Sequence, residues 1–235
     1  MVSSDSNNDK RKRLPVSRLL PNMVTLSAIC IGLSSVRFAL ADKWEFAVLA
    51  IIAAAILDGM DGRLARALNA TSEFGAQLDS LADFVNFSVV PMLVLYLWTL
   101  QDINRLGWAV VLFFILCCAI RLARFNVSLL DDERPSWADR FFVGIPAPMG
   151  ACLCLLPLLL SFEFVHPWLH NPWINGAYVL AVGILMVSRI PTYSMKKMII
   201  RHDLAVPLML GVITLLVMFS IEPWLTFAVI SVGYL

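Results

Sequence analysis

The chain has 235 residues, of which 60% are hydrophobic and only 15% are charged, and its formal net charge is +1. Soluble domains average about 25% charged residues, so this composition excludes an ordinary soluble domain. We therefore expect an integral membrane protein that has membrane lipids among its partners and has no nucleic-acid partner.

In chain order, residues 1–14 are polar and charged, and we expect them to form a cytoplasmic tail. The apolar stretches that follow cover about 20–40, 44–57, 80–100, 106–123, 141–163, 173–188, 204–220 and 222–235. A spanning helix needs about 20 residues, so we predict an all-α integral membrane protein with about eight transmembrane helices in a single domain over residues 15–235. Glu222 and Pro223 allow either a short turn between the last two helices or a kink in one longer helix.

Basic residues divide unequally between the two sides of this layout. If the N-terminus is cytoplasmic, only Arg37, Lys43 and Arg105 of the 18 lysines and arginines lie on the outer side. Because positive residues concentrate in short cytoplasmic loops, we predict a cytoplasmic N-terminus. The same layout brings the helix ends that carry polar motifs to the cytoplasmic face.

Four aspartates share one register in the first half of the chain. The register reads Asp58-x-x-Asp61-Gly62-x-x-Ala65-Arg66 and then Gly75-x-x-x-Asp79-x-x-x-Asp83. At 100° per residue, each half places its carboxylates and glycine on one helical stripe. Two such stripes facing each other would hold four carboxylates around a small volume. Mg²⁺ and Mn²⁺ prefer this kind of oxygen-rich site, so the register predicts a centre for hard cations.

Each pair of aspartates also has a simpler interpretation. Asp58 and Asp61 alone could be solvated at a helix end, and Asp79 and Asp83 alone could lie on a wet helix face. Like charges four residues apart repel on a helix, so the complete register favours a function. A divalent-cation transporter could use the same aspartates as a transit site. A transporter would also be expected to carry polar groups at mid-span and an inverted repeat, and neither is apparent in the sequence.

The complete register resembles the signature of the CDP-alcohol phosphotransferase family, and every motif position matches. Further blocks resemble the phosphatidylserine synthase branch of that family. They are Leu20-Pro21-Asn22-x-x-Thr25, Ser72 to Gly75, Arg121 to Asn126, Gly144 to Pro148 and Ser188 to Thr192. One departure concerns the wall of the acceptor pocket. The branch usually has a glycine at the position of Ser88 and small residues at those of Val90 and Met92.

The resemblance implies an enzyme that transfers the phosphatidyl group of CDP-diacylglycerol to L-serine, giving phosphatidylserine and CMP with the help of two Mg²⁺ or Mn²⁺ ions. It implies that Asp83 is the general base as well as a metal ligand. The implied metal ligands are Asp58, Asp61, Asp79 and Asp83. The implied CDP-lipid-binding residues are Asn22, Thr25, Gly62, Ala65, Arg66, Ser72 and Gly75. The implied serine-binding residues are Arg121, Arg124, Asn126 and Arg189, of which Arg189 could instead bind the lipid phosphate of the donor.

The identity of the acceptor leaves an alternative open. A sister enzyme would use glycerol 3-phosphate or inositol phosphate, and a pocket for a phosphate dianion would favour more basic residues than Arg121 and Arg124 supply. The resemblance also implies a homodimer in the inner or plasma membrane of a prokaryote. Its active site is expected to face the cytoplasm.

Overall fold

Helices fill nearly all of the chain that the structure describes. The computed structural model describes residues 19–129, 141–143, 145–188, 191–193 and 205–233. The predicted tail at residues 1–14 and the predicted site residue Arg189 lie outside these ranges. The α-helices are α1 (Leu20–Ala39), α2 (Trp44–Ala67), α3 (Glu73–Phe84), α4 (Val90–Trp98), α5 (Asn104–Leu129), α6 (Ala147–Ser161), α7 (Pro172–Val187), α8 (Ala205–Ile221) and α9 (Pro223–Gly233).

Helices α1 and α2 pack as an antiparallel pair. Toward the start of α1 the Thr25 hydroxyl contacts Asp61, and further along the pair Gly32 lies beside Ala54. Helix α2 continues ten residues beyond the apolar stretch at 44–57 and ends at Ala67. The first half of the aspartate register is therefore helical, and two of its carboxylates lie in the last turns of a helix whose earlier turns are apolar.

The next helical run is an α-helix interrupted by one turn of π-helix. Ser72 caps α3 by accepting a hydrogen bond from the Gly75 backbone N–H at 3.0 Å. A π-helical turn at Val85–Val89 then joins α3 to α4, with the Val90 N–H bonded to the Val85 carbonyl five residues back. π-Turns inside α-helices are rare and are frequent at functional sites.

The segments that precede α5 and α7 are joined at the end of the bundle opposite the aspartates. A 3₁₀ turn at Leu100–Ile103 precedes α5, and another at Pro167–His170 precedes α7. The Thr99 hydroxyl donates to the His170 carbonyl at 3.2 Å, and the buried Asn175 amide donates to the Leu169 carbonyl at 2.8 Å. These bonds fix the register with which α5 and α7 approach the opposite end, where the predicted site residues lie.

The core lies around α4, which packs against α1, α5 and α6. Its largest fully buried side chains include Met92, Leu95, Phe114, Leu158 and Met186. Many large apolar side chains instead point outward, as Met23, Ile56 and Leu116 do. Outward apolar faces are what a lipid environment requires, because hydrocarbon solvates them.

Three helical runs in the described ranges are long and apolar enough to cross a membrane: Leu20–Ala39, Glu73–Trp98 and Leu100–Ser128. Ala147–Ser161 and Pro172–Val187 are shorter apolar helices. The predicted all-α membrane fold class is confirmed, and the number of spans stays a prediction. The last two apolar stretches form separate helices that meet at Glu222, where the rings of Phe219 and Phe227 lie 5.6 Å apart.

One small element was not predicted from the sequence. Strand β1 (Phe141–Val143) pairs antiparallel with β2 (Pro191–Tyr193), with Phe142 opposite Thr192. The apolar stretch predicted as a helix over 141–163 therefore begins as this strand, and α6 starts only at Ala147. Pro146 and Pro148 favour a helix start at this point, because the fixed φ and missing N–H of proline suit the first turn of a helix.

Candidate functional site

Three aspartates from two helices meet at one end of the bundle. One carboxylate oxygen from each of Asp58 and Asp61 on α2 and Asp79 on α3 lies within 4.8 Å of the other two. Asp61 is buried, and the other two are partly buried. Carboxylates this close repel one another, and burial weakens the screening by water, so the cluster needs a cation.

Helix α1 holds one member of the cluster in place. Asp61 is 3% exposed, and its carboxylate accepts hydrogen bonds from the Thr25 hydroxyl and, at 2.5 Å, from the Gly62 backbone N–H. The Thr25 hydroxyl also lies 3.1 Å from the Pro21 carbonyl of its own helix. Thr25, predicted to bind the CDP-lipid, is thus engaged with a carboxylate of the cluster.

Asp58 supplies a test of whether a metal fits. Its Oδ1 atom is buried and accepts no hydrogen bond from any described residue. A buried carboxylate oxygen without a donor is costly in a membrane unless a cation or a proton satisfies it. Together with the other two carboxylates it forms an all-oxygen set, which suits Mg²⁺ or Mn²⁺. The residues therefore fit a divalent metal.

Asp83 lies at the edge of this cluster. Its carboxyl group interacts with that of Asp58 and with the Arg121 guanidinium of α5. It is not one of the three residues whose oxygens lie within 4.8 Å of one another. Asp83 therefore joins the carboxylate cluster to the part of the site formed by α5.

Two of the predicted CDP-lipid-binding residues leave the surface beside the cluster open. A Cβ placed on Gly62 would meet, among the described residues, only the Arg66 Nη1 atom at 3.8 Å. The Arg66 guanidinium is exposed and lies over this open backbone. Ala65 is partly buried on the same helix. A phosphate group could approach the Gly62 backbone closely and meet a planar cation there.

Three more of these residues meet where α1 contacts α3. A Cβ on Gly75 would lie 3.1 Å from both the Asn22 Oδ1 and the Ser72 Oγ. The absence of a side chain at Gly75 therefore lets the two polar groups converge. Ser72 already accepts the Gly75 N–H as a helix cap, so its hydroxyl hydrogen remains available as a donor.

The three predicted serine-binding residues that the structure describes have different interaction partners. Arg121 is partly buried and lies beside Asp83. Arg124 is exposed, and its Nη1 donates to the Val187 carbonyl at the end of α7 at 3.0 Å. Asn126 donates its amide to the Ser80 hydroxyl of α3 at 2.7 Å. Arg121 alone of these three is placed beside a carboxylate of the cluster.

The sequence analysis did not single out Asn86, which lies in the π-turn. It is 1% exposed, and neither Oδ1 nor Nδ2 has a hydrogen-bond partner in the described part of the chain. Its Oδ1 lies so close to Gly32 of α1 that a Cβ there would overlap it. Its position three residues after Asp83, in a largely apolar run, could have identified Asn86 as a candidate site residue. Ser88, Val90 and Met92, predicted to tighten the pocket wall, are all fully buried.

Comparison with known proteins points to one family. A family model described as CDP-alcohol phosphatidyltransferase matches residues 18–187, and one described as CDP-alcohol phosphatidyltransferase 2 matches residues 203–235. A Mycobacterium leprae protein named CDP-diacylglycerol–serine O-phosphatidyltransferase is 45% identical over 190 residues, covering 81% of this chain and 61% of the relative. The chain thus spans about three fifths of that relative's length.

Two shorter relatives carry the same name. The Helicobacter pylori protein is 38% identical over 179 residues, covering 76% of this chain and 73% of its own length. The Bacillus subtilis protein is 33% identical over 179 residues, covering 76% of this chain and 92% of its own length. The family-model match at residues 18–187 includes α2 and α3, the helices that carry the carboxylate cluster.

Proposed function

This chain belongs to the CDP-alcohol phosphatidyltransferase family, and on that premise we propose that it transfers the phosphatidyl group of CDP-diacylglycerol to L-serine, giving phosphatidylserine and CMP. The relatives named for this reaction support the choice of both substrates. The observation that carries the proposal is the cluster of Asp58, Asp61 and Asp79, whose oxygens lie within 4.8 Å of one another beside open backbone at Gly62.

Members of this family use divalent metals, and the aspartates fit such ions. Asp58, Asp61 and Asp79, together with Asp83, would hold two Mg²⁺ or Mn²⁺ ions. When bound, the ions would neutralise the pyrophosphate and stabilise both the attacking and the leaving oxygens of an in-line displacement. Thr25 keeps Asp61 oriented toward the cluster through its hydroxyl.

The reaction follows from the remaining side chains. The seryl hydroxyl oxygen attacks the phosphorus that carries diacylglycerol, the bond from that phosphorus to the CMP oxygen breaks, and CMP leaves with the bonding electrons. Asp83 takes the proton of the attacking hydroxyl, because it interacts with both the cluster and Arg121. Arg66 binds the phosphates, and Arg121 pairs with the serine carboxylate.

The donor nucleotide lies, in this proposal, on the surface formed by α1 and the start of α3. Asn22, Ser72 and the backbone at Gly75 converge there and offer hydrogen bonds to the cytidine, its ribose or its phosphate. We further propose that the chain forms a homodimer in the inner membrane of a prokaryote with this surface facing the cytoplasm. The positions of the basic residues support that orientation.

The alternative functions receive less support. Glycerol 3-phosphate or inositol phosphate would need a dense basic pocket, and Arg124 is engaged with a main-chain carbonyl instead. A cation transporter would need acidic groups along the path across the membrane. In the described helices the acidic cluster lies at one end of α2 and α3.

The test is CMP release by the purified protein in detergent, measured with CDP-diacylglycerol and either L-serine or no acceptor. We expect release to require both L-serine and Mg²⁺ or Mn²⁺, and to stop when EDTA is added. CMP release that proceeds equally without an acceptor would contradict the proposal, because it would make the chain a CDP-lipid hydrolase.

A further inference from the structure

The π-turn contains a buried hydroxyl that takes no part in the proposed reaction. Ser88 is 0% exposed, and its Oγ forms no hydrogen bond with any described residue. The Cys118 thiol of α5 lies beside it, but without the geometry of a hydrogen bond, and a thiol is in any case a weak partner. An unpartnered hydroxyl at the centre of a membrane protein costs free energy unless a ligand completes it.

The surroundings of Ser88 connect it to the site. Cys118, which lies beside Ser88, also interacts electrostatically with Arg121 and Asp83. Asp83 and Ser88 are five residues apart, a separation that an α-helix would turn to different faces. The π-turn, with its bond from Val90 to Val85, brings residues five apart closer to one face. Ser88 therefore faces α5, the helix that carries both Cys118 and Arg121.

The same turn offers a second kind of oxygen. Pro91 has no backbone N–H, so it cannot donate a helical hydrogen bond to a main-chain carbonyl of the turn. A hydroxyl oxygen and a main-chain carbonyl are hydrogen-bond acceptors. An ammonium group has three donors and no acceptor, so it is the complementary ligand.

This inference rests on the proposed function and extends it to the third polar group of the acceptor. The L-serine substrate carries a hydroxyl, a carboxylate and an ammonium group on a very small frame. With the hydroxyl at Asp83 and the carboxylate at Arg121, the ammonium group remains. We propose that the Ser88 Oγ accepts a hydrogen bond from that ammonium group, a contact that this chain makes and that the glycine usual at this position in the branch would lack.

The chain contains a matched control. Ser35 on α1 is also 0% exposed, and its Oγ likewise has no hydrogen-bond partner within the described ranges. It lies on α1, not in the helical run that carries Asp83 and the π-turn. Ser88→Ala and Ser35→Ala remove the same atom from equally buried positions. Their thermal midpoints in detergent report any general effect of the deletion.

The experiment measures the KM for L-serine and the KM for CDP-diacylglycerol in wild type, Ser88→Ala, Ser88→Gly and Ser35→Ala. Both Ser88 variants should raise the serine KM roughly 10-fold or more, the scale of a hydrogen bond to a charged group, and leave the KM for CDP-diacylglycerol unchanged. Ser35→Ala should change neither. Ki for 3-hydroxypropionate, which lacks the ammonium group, should be the same in wild type and Ser88→Ala.

Three results would overturn the inference. One is an unchanged serine KM in both Ser88 variants, and another is an equal rise in the two KM values. The third is a Ki for 3-hydroxypropionate that rises in parallel with the serine KM. Wild-type protein that released no CMP with L-serine would instead overturn the proposed function itself, so the two failures are distinguishable.

Discussion

The carboxylate cluster is built from two consecutive helices, whereas the opposite side of the site joins helices that are far apart in the chain. Asp58, Asp61 and Asp79 lie on α2 and α3, and their spacing follows the helical repeat. On the other side Arg124 reaches a carbonyl 63 residues away, and Asn126 reaches a hydroxyl 46 residues away. Local periodicity places the first set, and tertiary packing places the second.

The largest expected effect concerns the cluster. Asp58→Asn and Asp79→Asn should each abolish turnover, because each removes a charge from a three-carboxylate set that neutralises a divalent ion. CMP release should be followed over a titration of Mg²⁺ and of Mn²⁺. Asp102→Asn is the matched control, since Asp102 is exposed at the end of the bundle opposite the aspartate cluster. Full activity of either cluster variant at any metal concentration would refute the metal assignment.

Asp83 interacts with both the carboxylate cluster and Arg121 of α5, so its substitution tests both sides of the site. Asp83→Asn should lower kcat at least about 10²-fold, the low end for a general base. Binding of CDP-diacylglycerol should weaken much less, because the three clustered aspartates remain. Equilibrium binding of the CDP-lipid beside single-turnover rates separates the two roles. Equal losses in binding and turnover would make Asp83 chiefly a metal ligand.

The two arginines of α5 were both predicted to bind serine, but tertiary packing gives them different partners. Their substitutions test whether that difference affects serine binding. Arg121→Lys should raise the serine KM roughly 10- to 150-fold, because lysine cannot make the planar two-point contact with a carboxylate. Arg124→Lys should change it little, since Arg124 donates to the Val187 carbonyl and lysine can do the same. Steady-state kinetics with L-serine varied decides the matter. Equal effects of the two variants would show that Arg124 binds the serine carboxylate together with Arg121.

The smallest effect is expected in stability. Gly32→Ala would place a methyl group against the buried Asn86 amide and should destabilise the protein by about 1–3 kcal/mol. At about 2–4 °C per kcal/mol, the thermal midpoint should fall by several degrees. Gly59→Ala is the control, because a Cβ there meets nothing within 4 Å in the described chain. A midpoint that falls equally in both variants would show that the Gly32–Asn86 contact is unimportant.

The sequence could predict the features that local periodicity sets, but not those that depend on tertiary packing. The helical repeat placed each pair of aspartates on one stripe of its helix, and the structure brings three of the four within 4.8 Å of one another. The resemblance assigned Thr25 to the lipid substrate, but its hydroxyl contacts Asp61, a contact between two helices that no local pattern encodes. The π-turn was equally inaccessible, because hydropathy reads Val85–Val89 as an ordinary part of an apolar helix.

The central claim is that this site joins a phosphatidyl group to L-serine, and the identity of the lipid product tests it most directly. Purified protein should be incubated with CDP-diacylglycerol, Mn²⁺ and equimolar L-serine, glycerol 3-phosphate and inositol phosphate, and the lipids analysed by mass spectrometry. The account predicts phosphatidylserine in an amount equal to the CMP released. A product carrying glycerol phosphate or inositol phosphate, or phosphatidic acid alone, would contradict it.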